Sequence, residues 1–156
     1  MISIDASVFL GMHCSDELVR NSCKSIVASS LSSGILISFE EIGRTDNYIW
    51  NLPRKKQEIY FSFMDFIMSE SSIIKRSYEG ITQELYNENY PDRLKLALSL
   101  NVPMYSLEQS MSHYSQVQTP IARHNSSEWF PKSIEQKYVS SKEIRIPMDL
   151  LIILSH

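Results

Sequence analysis

The stretch that decides the fold is residues 2–10, ISIDASVFL, in which apolar residues alternate with small or polar ones up to a carboxylate at Asp5. This alternation predicts a short strand. Ser15 follows in the position of a helix cap, and apolar or small residues recur after it at helical spacing. Gly34 stands where that helix should end, and residues 35–38, ILIS, then form a second short apolar strand. A strand, a helix and a second strand in this order favour an α/β fold.

The rest of the chain continues the alternation of strands and helices. A helix is predicted to begin at Ser38, whose spacing from Glu41 is that of a capping box. The later predicted elements are helices over residues 54–68, 80–89 and 91–100, a third strand over residues 102–106 and a last buried strand over residues 148–154. Residues 73–78 fit either a strand or a helix, and residues 109–143 are polar and irregular. We therefore predict one α/β domain over residues 1–156 with a central, mainly parallel sheet.

Composition and charge limit the class of protein. Of the 156 residues, 43% are apolar and 21% are charged, which is typical of one folded domain. The net charge of −3 argues against a strongly basic nucleic-acid-binding surface. It does not exclude a nucleic-acid substrate, because a cation held by several carboxylates would neutralise the local charge. The N-terminus lacks the pattern of a signal peptide and no run of about 18 apolar residues occurs, so we expect a cytoplasmic protein without a membrane segment.

Three acids lie at the ends of predicted elements. Asp5 ends the first strand, Asp92 opens the helix after Pro91, and Glu108 follows the third strand. Ligands of open parallel sheets bind at the carboxyl ends of the strands, and a helix N-terminus adds free amides there. Carboxylate oxygens suit hard cations such as Mg²⁺ or Mn²⁺. The pattern alone leaves a plainer interpretation open, with Asp92 as a helix cap and the other two acids in solvent.

Two stretches of the chain resemble PIN-domain proteins. Residues 2–10 are similar to the first strand of that family, which delivers a catalytic Asp followed by a small residue and a hydroxyl. Residues 90–108, YPDRLKLALSLNVPMYSLE, are similar to the family pattern of Asp, an Ala-bearing helix, a short turn, a strand and Thr-x-Asp. The resemblance covers roughly residues 1–112 and leaves residues 113–156 as an unassigned extension that carries the predicted last strand. It implies a three-layer α/β/α fold whose three or four acids gather one or two metal ions to hydrolyse RNA, most often in a homodimer.

The resemblance assigns the acids one at a time. Asp5 would be the first metal ligand, Asp92 the third acid and Glu108 the fourth, although the family usually has Asp in the place of Glu108. The second acid belongs on the helix after the second strand, where the candidates are Glu40, Glu41 and Asp46. Glu41 is followed by an aliphatic residue, as in the family, but it also fits as the capping-box partner of the serine that begins the helix. The choice among the three stays open.

The sequence also offers candidates for substrate contacts. Ser7 could hydrogen-bond a metal-bound water or a phosphate, although a hydroxyl beside a strand end more often bonds the local backbone. Arg54 and Lys55 could form a rim that grips phosphates, or simply the solvated start of a helix. Arg44 and Arg93 have the same two interpretations, and Arg93 would lie near the pocket because it follows Asp92.

The resemblance implies a metal-dependent endoribonuclease that hydrolyses RNA phosphodiesters with metal-activated water. A toxin-like role, with a protein partner such as an antitoxin, is part of what the resemblance suggests. The alternative is a non-catalytic PIN-like module that acts through protein–protein contacts, which the Glu at position 108 and the acidic net charge favour. A metal-dependent DNA flap or single-strand nuclease is a third hypothesis, because fold alone does not choose among these activities.

Overall fold

Five parallel strands form the centre of the computed structural model, which describes residues 1–122 and 129–154. The strands are β1 (Ile2–Ile4), β2 (Ile35–Ser38), β3 (Ile73–Arg76), β4 (Met104–Tyr105) and β5 (Val117–Gln118). They pair in the order β3-β2-β1-β4-β5, and every pairing is parallel. Helices flank this sheet, which confirms the predicted α/β class and the three-layer α/β/α arrangement.

The helices of the described residues are α1 (Ala6–Gly11), α2 (Glu17–Ser30), α3 (Phe39–Ile49), α4 (Arg54–Met68), α5 (Gln83–Tyr86), α6 (Asp92–Ser99), α7 (Lys132–Ser141) and α8 (Met148–Ile152). Short 3₁₀ turns lie at Tyr78–Gly80, Gln109–Met111 and Pro120–Ala122. Within the described ranges, none of the helices has both the length and the apolar character needed to cross a membrane.

The register of the strands brings three carboxyl ends to one edge of the sheet. Ser3 of β1 pairs with Leu36 of β2 and with Met104 of β4, so β1 lies between these two strands. Because all three strands run in the same direction, the residues that follow them leave the sheet at the same edge. The chain positions after β1, the first turn of α3 and the loop after β4 therefore lie next to one another.

Side-chain caps begin three of the helices at the positions where the strands and loops end. The Asp5 carboxylate accepts a hydrogen bond from the Val8 amide and starts α1, a short helix that the sequence analysis did not separate from the first strand. Asp16 caps α2, one residue after the predicted cap at Ser15. The predicted cap of α3 is confirmed, since the Ser38 hydroxyl accepts from the Glu41 amide at 3.1 Å.

Several predicted elements are confirmed, and others have different bounds or a different type in the structure. Helix α4 has the predicted bounds, and the ambiguous segment after it begins as strand β3. Gly34 has the left-handed backbone (φ +109°) expected of a residue that ends a helix, and its amide bonds the Ser30 carbonyl at 2.8 Å. The helix predicted over residues 80–89 is reduced to a 3₁₀ turn and the four-residue α5. Pro91 precedes α6 as its cap residue rather than occupying its first turn.

The prediction for the C-terminal third was wrong in two places. The apolar run predicted as a strand over residues 148–154 is helix α8, in which Leu151 is buried while Leu150 is exposed. Short apolar runs do not distinguish a strand from a helix, because neither period repeats often enough. The segment predicted as irregular contains β5 and the ten-residue α7, which packs on α4, where the Phe63 and Tyr138 rings lie 5.7 Å apart. Residues 123–128 of that segment lie outside the described residues.

Candidate metal centre

Three buried carboxylates converge at the carboxyl edge of the sheet. Asp5 follows β1, Glu41 lies in the first turn of α3, and Glu108 follows β4, and their exposed fractions are 0%, 1% and 3%. One oxygen atom from each lies within 4.8 Å of the others, which is a group that could hold a metal ion. All the donors are carboxylate oxygens, the ligands that hard divalent cations prefer.

Two serine hydroxyls hold Asp5 in place. Ser7 donates to Asp5 Oδ1 and Ser106 donates to Asp5 Oδ2, each with an oxygen–oxygen distance of 2.5 Å. The same hydroxyls accept backbone hydrogen bonds, Ser7 from the Leu107 amide and Ser106 from the Glu108 amide. These four bonds tie the end of β1 to the loop after β4, so the Asp5 carboxylate and the start of the Glu108 side chain are fixed relative to each other.

Glu41 is held by hydrogen bonds at the ends of both β1 and β2. Its Oε1 accepts from the Ala6 amide at 2.9 Å, while its own amide donates to the Ser38 hydroxyl. The Glu41 side chain therefore reaches across from α3 to the first residue of α1. The capping role that the sequence suggested for Glu41 holds for its backbone amide, and its carboxylate is directed into the acidic group.

Two arginines pair with the acids. Arg44 donates through Nη1 to Glu41 Oε1 at 2.8 Å and through Nη2 to Glu108 Oε1 at 2.9 Å. Arg93 Nη2 lies 2.9 Å from Glu108 Oε2, and Arg93 Nε lies 3.5 Å from Asp5 Oδ2. Three carboxylates and two guanidinium groups leave one net negative charge in the group. The sequence predicted neither arginine as a partner of the acids.

The electrostatics follow from burial and these pairs. Burial, together with the charge of Glu108, raises the pKa of Asp5 to about 6, against the opposing effect of Arg93 and of the serine hydrogen bonds. For Arg44, burial lowers the pKa, but hydrogen bonds and charges from Glu108 and Glu41 outweigh it and keep the guanidinium charged. The neutral and ionised forms of Asp5 therefore lie close in free energy near physiological pH.

The structure places three of the other predicted acids outside this group. Asp92 is the first residue of α6, its side chain is 58% exposed, and its Oδ1 lies 3.9 Å from Lys95 Nζ. Glu40 is exposed, and its Oε1 accepts from the Tyr78 amide. Asp46 is not among the acids that meet in this group, and burial, followed by the charge of Asp65 on α4, raises the pKa of its carboxyl. Of the three candidates for the second acid, the structure brings Glu41 into the group.

The structure places some of the predicted substrate-contact residues at the acidic group and others away from it. Arg93 enters the acidic group, and Ser7 is buried with its hydroxyl engaged by Asp5 and Leu107, which makes it a positioning residue. Arg54 and Lys55 are exposed at the start of α4, where Arg54 pairs with Glu58. Arg44 follows Glu41 by three residues, and this spacing on a helix was the signal that could have linked the two in advance.

Fold and site together define a three-layer α/β/α protein with a buried acidic centre that could hold a metal ion. The chain belongs to the family of unknown function DUF6190, whose model matches residues 1–151. No curated protein and no solved structure matches the chain.

Proposed function

We propose that this protein is a divalent-metal-dependent ribonuclease of the PIN type. The observation that supports the proposal is the convergence of Asp5, Glu41 and Glu108, with oxygens within 4.8 Å, at the carboxyl edge of a parallel sheet. These residues would hold Mg²⁺ or Mn²⁺. When bound, such an ion activates water and stabilises the charge that develops on a phosphodiester.

The residues around the acids would hold the carboxylates in place before a cation binds. Ser7 and Ser106 fix both oxygens of Asp5, so little reordering of this side chain would accompany binding of a cation. A cavity of about 430 Å³ lies beside the acids and is lined by Glu41, Arg93 and Tyr78, among others. It would admit part of a single-stranded substrate. RNA as the substrate, a toxin-like role with an antitoxin partner and a homodimer are parts of this proposal that come from the PIN resemblance alone.

A non-catalytic module that acts through protein–protein contacts is the second candidate, and one observation favours it. Arg44 and Arg93 already pair with the three carboxylates, so the acids are neutralised in large part without a cation. A buried ion network of this kind can serve to fix a unique packing rather than to bind a ligand. In that case the chain would show no response to divalent cations.

Thermal melting with and without Mn²⁺ or Mg²⁺ separates the two candidates. Binding to the folded state stabilises by about 2.7 kcal/mol at a hundredfold excess over the dissociation constant. We expect the wild-type protein to show this rise, Asp5→Asn to lose it, and Asp92→Asn, which alters an exposed acid outside the group, to keep it. An RNA substrate screen with the same three proteins then tests cleavage. The absence of a rise in the wild-type protein would reject the metal-dependent nuclease in favour of the module.

A further inference from the structure

The two arginines beside the acids have unused hydrogen-bonding capacity in a buried position. Arg93 is 7% exposed, and the side chain of Arg44 is 10% exposed. Among the described residues, the Nε atoms of both are buried and make no hydrogen bond, and Arg93 Nε is 3.5 Å from Asp5 Oδ2, where it forms an ion pair. A guanidinium has five N–H donors, and buried donors are normally satisfied, so each of these two arginines has a donor that could take a further acceptor.

The charge of the group indicates what kind of acceptor would complete it. Without a cation the three carboxylates and two guanidinium groups carry one net negative charge. A single divalent cation on the carboxylates would change this to one net positive charge. A buried net charge is unfavourable, so a monoanion would balance the site. A second divalent cation would leave a larger positive charge on a site that already contains two arginines.

The geometry suits a phosphate as that monoanion. Arg44 and Arg93 both line the cavity beside the acids, which is bordered by the exposed Glu40 and Asp92 and so opens to solvent. The planar fork of a guanidinium matches two phosphate oxygens. A phosphodiester carries a single negative charge at neutral pH, which is the charge that the site with one cation lacks.

We infer that Arg44 and Arg93 form an anion clamp that binds one phosphodiester together with one divalent cation. This inference rests on the proposed cation site on Asp5, Glu41 and Glu108. Without a cation, the two guanidinium groups pair with the carboxylates. When a cation binds the carboxylates, the guanidinium groups bind phosphate oxygens in place of carboxylate oxygens. Cation and phosphodiester therefore strengthen each other's binding, and the arginines oppose the cation when no phosphodiester is present.

Isothermal titration calorimetry with Mn²⁺ and with thymidylyl-thymidine, a dinucleotide that has one phosphodiester and no 2′-hydroxyl, tests the clamp. Thymidine is the uncharged control ligand. We expect the wild-type protein to bind the dinucleotide at least about fivefold more tightly with Mn²⁺ than without it, which lies in the usual range of coupling between two ligands. Thymidine should show no such dependence on Mn²⁺.

Two substitutions of Arg93 separate the effect of its charge on Mn²⁺ binding from the effect of its fork on dinucleotide binding. Arg93→Met removes the charge that competes with the cation, so Mn²⁺ alone should bind more tightly, by about tenfold, while the coupling to the dinucleotide is lost. Arg93→Lys keeps the charge but loses the fork, so Mn²⁺ affinity should stay near that of the wild type and dinucleotide binding should weaken. Lys142→Met, which removes an exposed positive charge at the end of α7, should change neither.

The outcomes separate this inference from the proposed function. If the wild-type protein binds Mn²⁺ but Arg93→Lys binds the dinucleotide as tightly as the wild type, the clamp is wrong and the cation site stands. Weaker Mn²⁺ binding in Arg93→Met would also overturn the clamp, because it would show that the arginine supports the cation rather than competes with it. The Lys variant keeps the buried charge balance, so it provides a folded protein even if the Met variant does not fold. No Mn²⁺ binding in the wild type would reject the cation site and the clamp together.

Discussion

The Ser106 hydroxyl donates a hydrogen bond to the Asp5 carboxylate, with Oγ and Oδ2 2.5 Å apart, across 101 positions of sequence. This bond joins the ends of two neighbouring strands, β1 and β4, at the edge of the sheet where the acids gather. Ser106 also accepts from the Glu108 amide, so one side chain links two of the three candidate ligands. The carboxylates are therefore held by the sheet and not only by their ion pairs.

Ser106→Ala is expected to lower both stability and cation affinity. The substitution leaves Asp5 Oδ2 and the Glu108 amide without this buried partner, and the expected loss in the free energy of unfolding is about 1–3 kcal/mol. Urea unfolding measures the stability, and the melting rise with Mn²⁺ measures the cation affinity. Ser112→Ala, which removes an exposed hydroxyl bonded to the Gln109 carbonyl, is the matched control. Equal stability of both variants would show that the Asp5–Ser106 bond contributes nothing measurable.

Glu108→Asp tests whether the longer acid is required at this position. The change shortens the side chain by about 1.5 Å, the length of one carbon–carbon bond. Glu108 now reaches both Arg44 and Arg93 at 2.9 Å, and an Asp could not keep both contacts from the same backbone. We expect a loss of about 1–3 kcal/mol in the free energy of unfolding and weaker Mn²⁺ binding. Glu143→Asp, at an exposed position, should be neutral; tighter Mn²⁺ binding in Glu108→Asp would contradict the arrangement described for this site.

His13 is expected to make the fold sensitive to mild acid. The ring is fully buried, with Nε2 2.7 Å from Ser141 Oγ, and burial, followed by the charges of Arg145 and Arg20, lowers the pKa of His13 to about 3. The unfolded chain binds this proton with its ordinary pKa of 6.5, so the stabilisation present above that value is lost as the pH falls from about 6.5 toward 3. Between pH 7 and pH 5 this one group should remove about 2 kcal/mol.

The comparison that isolates His13 is with His13→Gln, whose amide can still bond Ser141 and which does not titrate. Urea unfolding at pH 7 and pH 5 should show a smaller loss in the variant than in the wild type, by about the same 2 kcal/mol. Other titrating groups, such as Asp5, act in both proteins and cancel in the difference. Equal losses in the two proteins would mean that His13 takes up its proton without unfolding the chain.

Two helical glycines should respond to alanine in opposite directions. A Cβ at Gly11 would meet Cys23 Sγ at 2.7 Å and Leu107 Cδ1 at 2.8 Å, so Gly11→Ala forces α1 away from α2 and is expected to cost about 1–3 kcal/mol. A Cβ at Gly43 meets nothing within 4 Å, so Gly43→Ala should stabilise α3 by about 0.5–1 kcal/mol. Chemical unfolding of the pair measures both effects. A stabilised Gly11→Ala would mean that the α1–α2 contact is looser than the structure shows.

The amino-acid sequence by itself determined most elements in the first two thirds of the fold, with α1 and residues 80–89 as the exceptions. Short segments there carry the signals for a helix start at Ser38, a helix end at Gly34 and a helix over residues 54–68. The structure satisfies each of these local preferences. The C-terminal third was harder to predict because its signals are weak. Helix α7 packs on α4 and α8 packs on α1, so both helices depend on elements far away in sequence.

For the site, the sequence determined which elements end in a carboxylate, and the tertiary structure decided which side chains meet. Asp5 and Glu108 followed from their positions after strands, whereas Glu41 could not be separated from its neighbours on α3. The clearest case is on α6, where the exposed Asp92 precedes the buried Arg93. Successive residues of a helix point about 100° apart, so one of the two faces the acids and the other faces solvent. Which one faces inward depends on how α6 is rotated against the sheet, and that rotation is set by the packing of Leu94 and Ala97 against Met104 and Met111, which lie outside the helix.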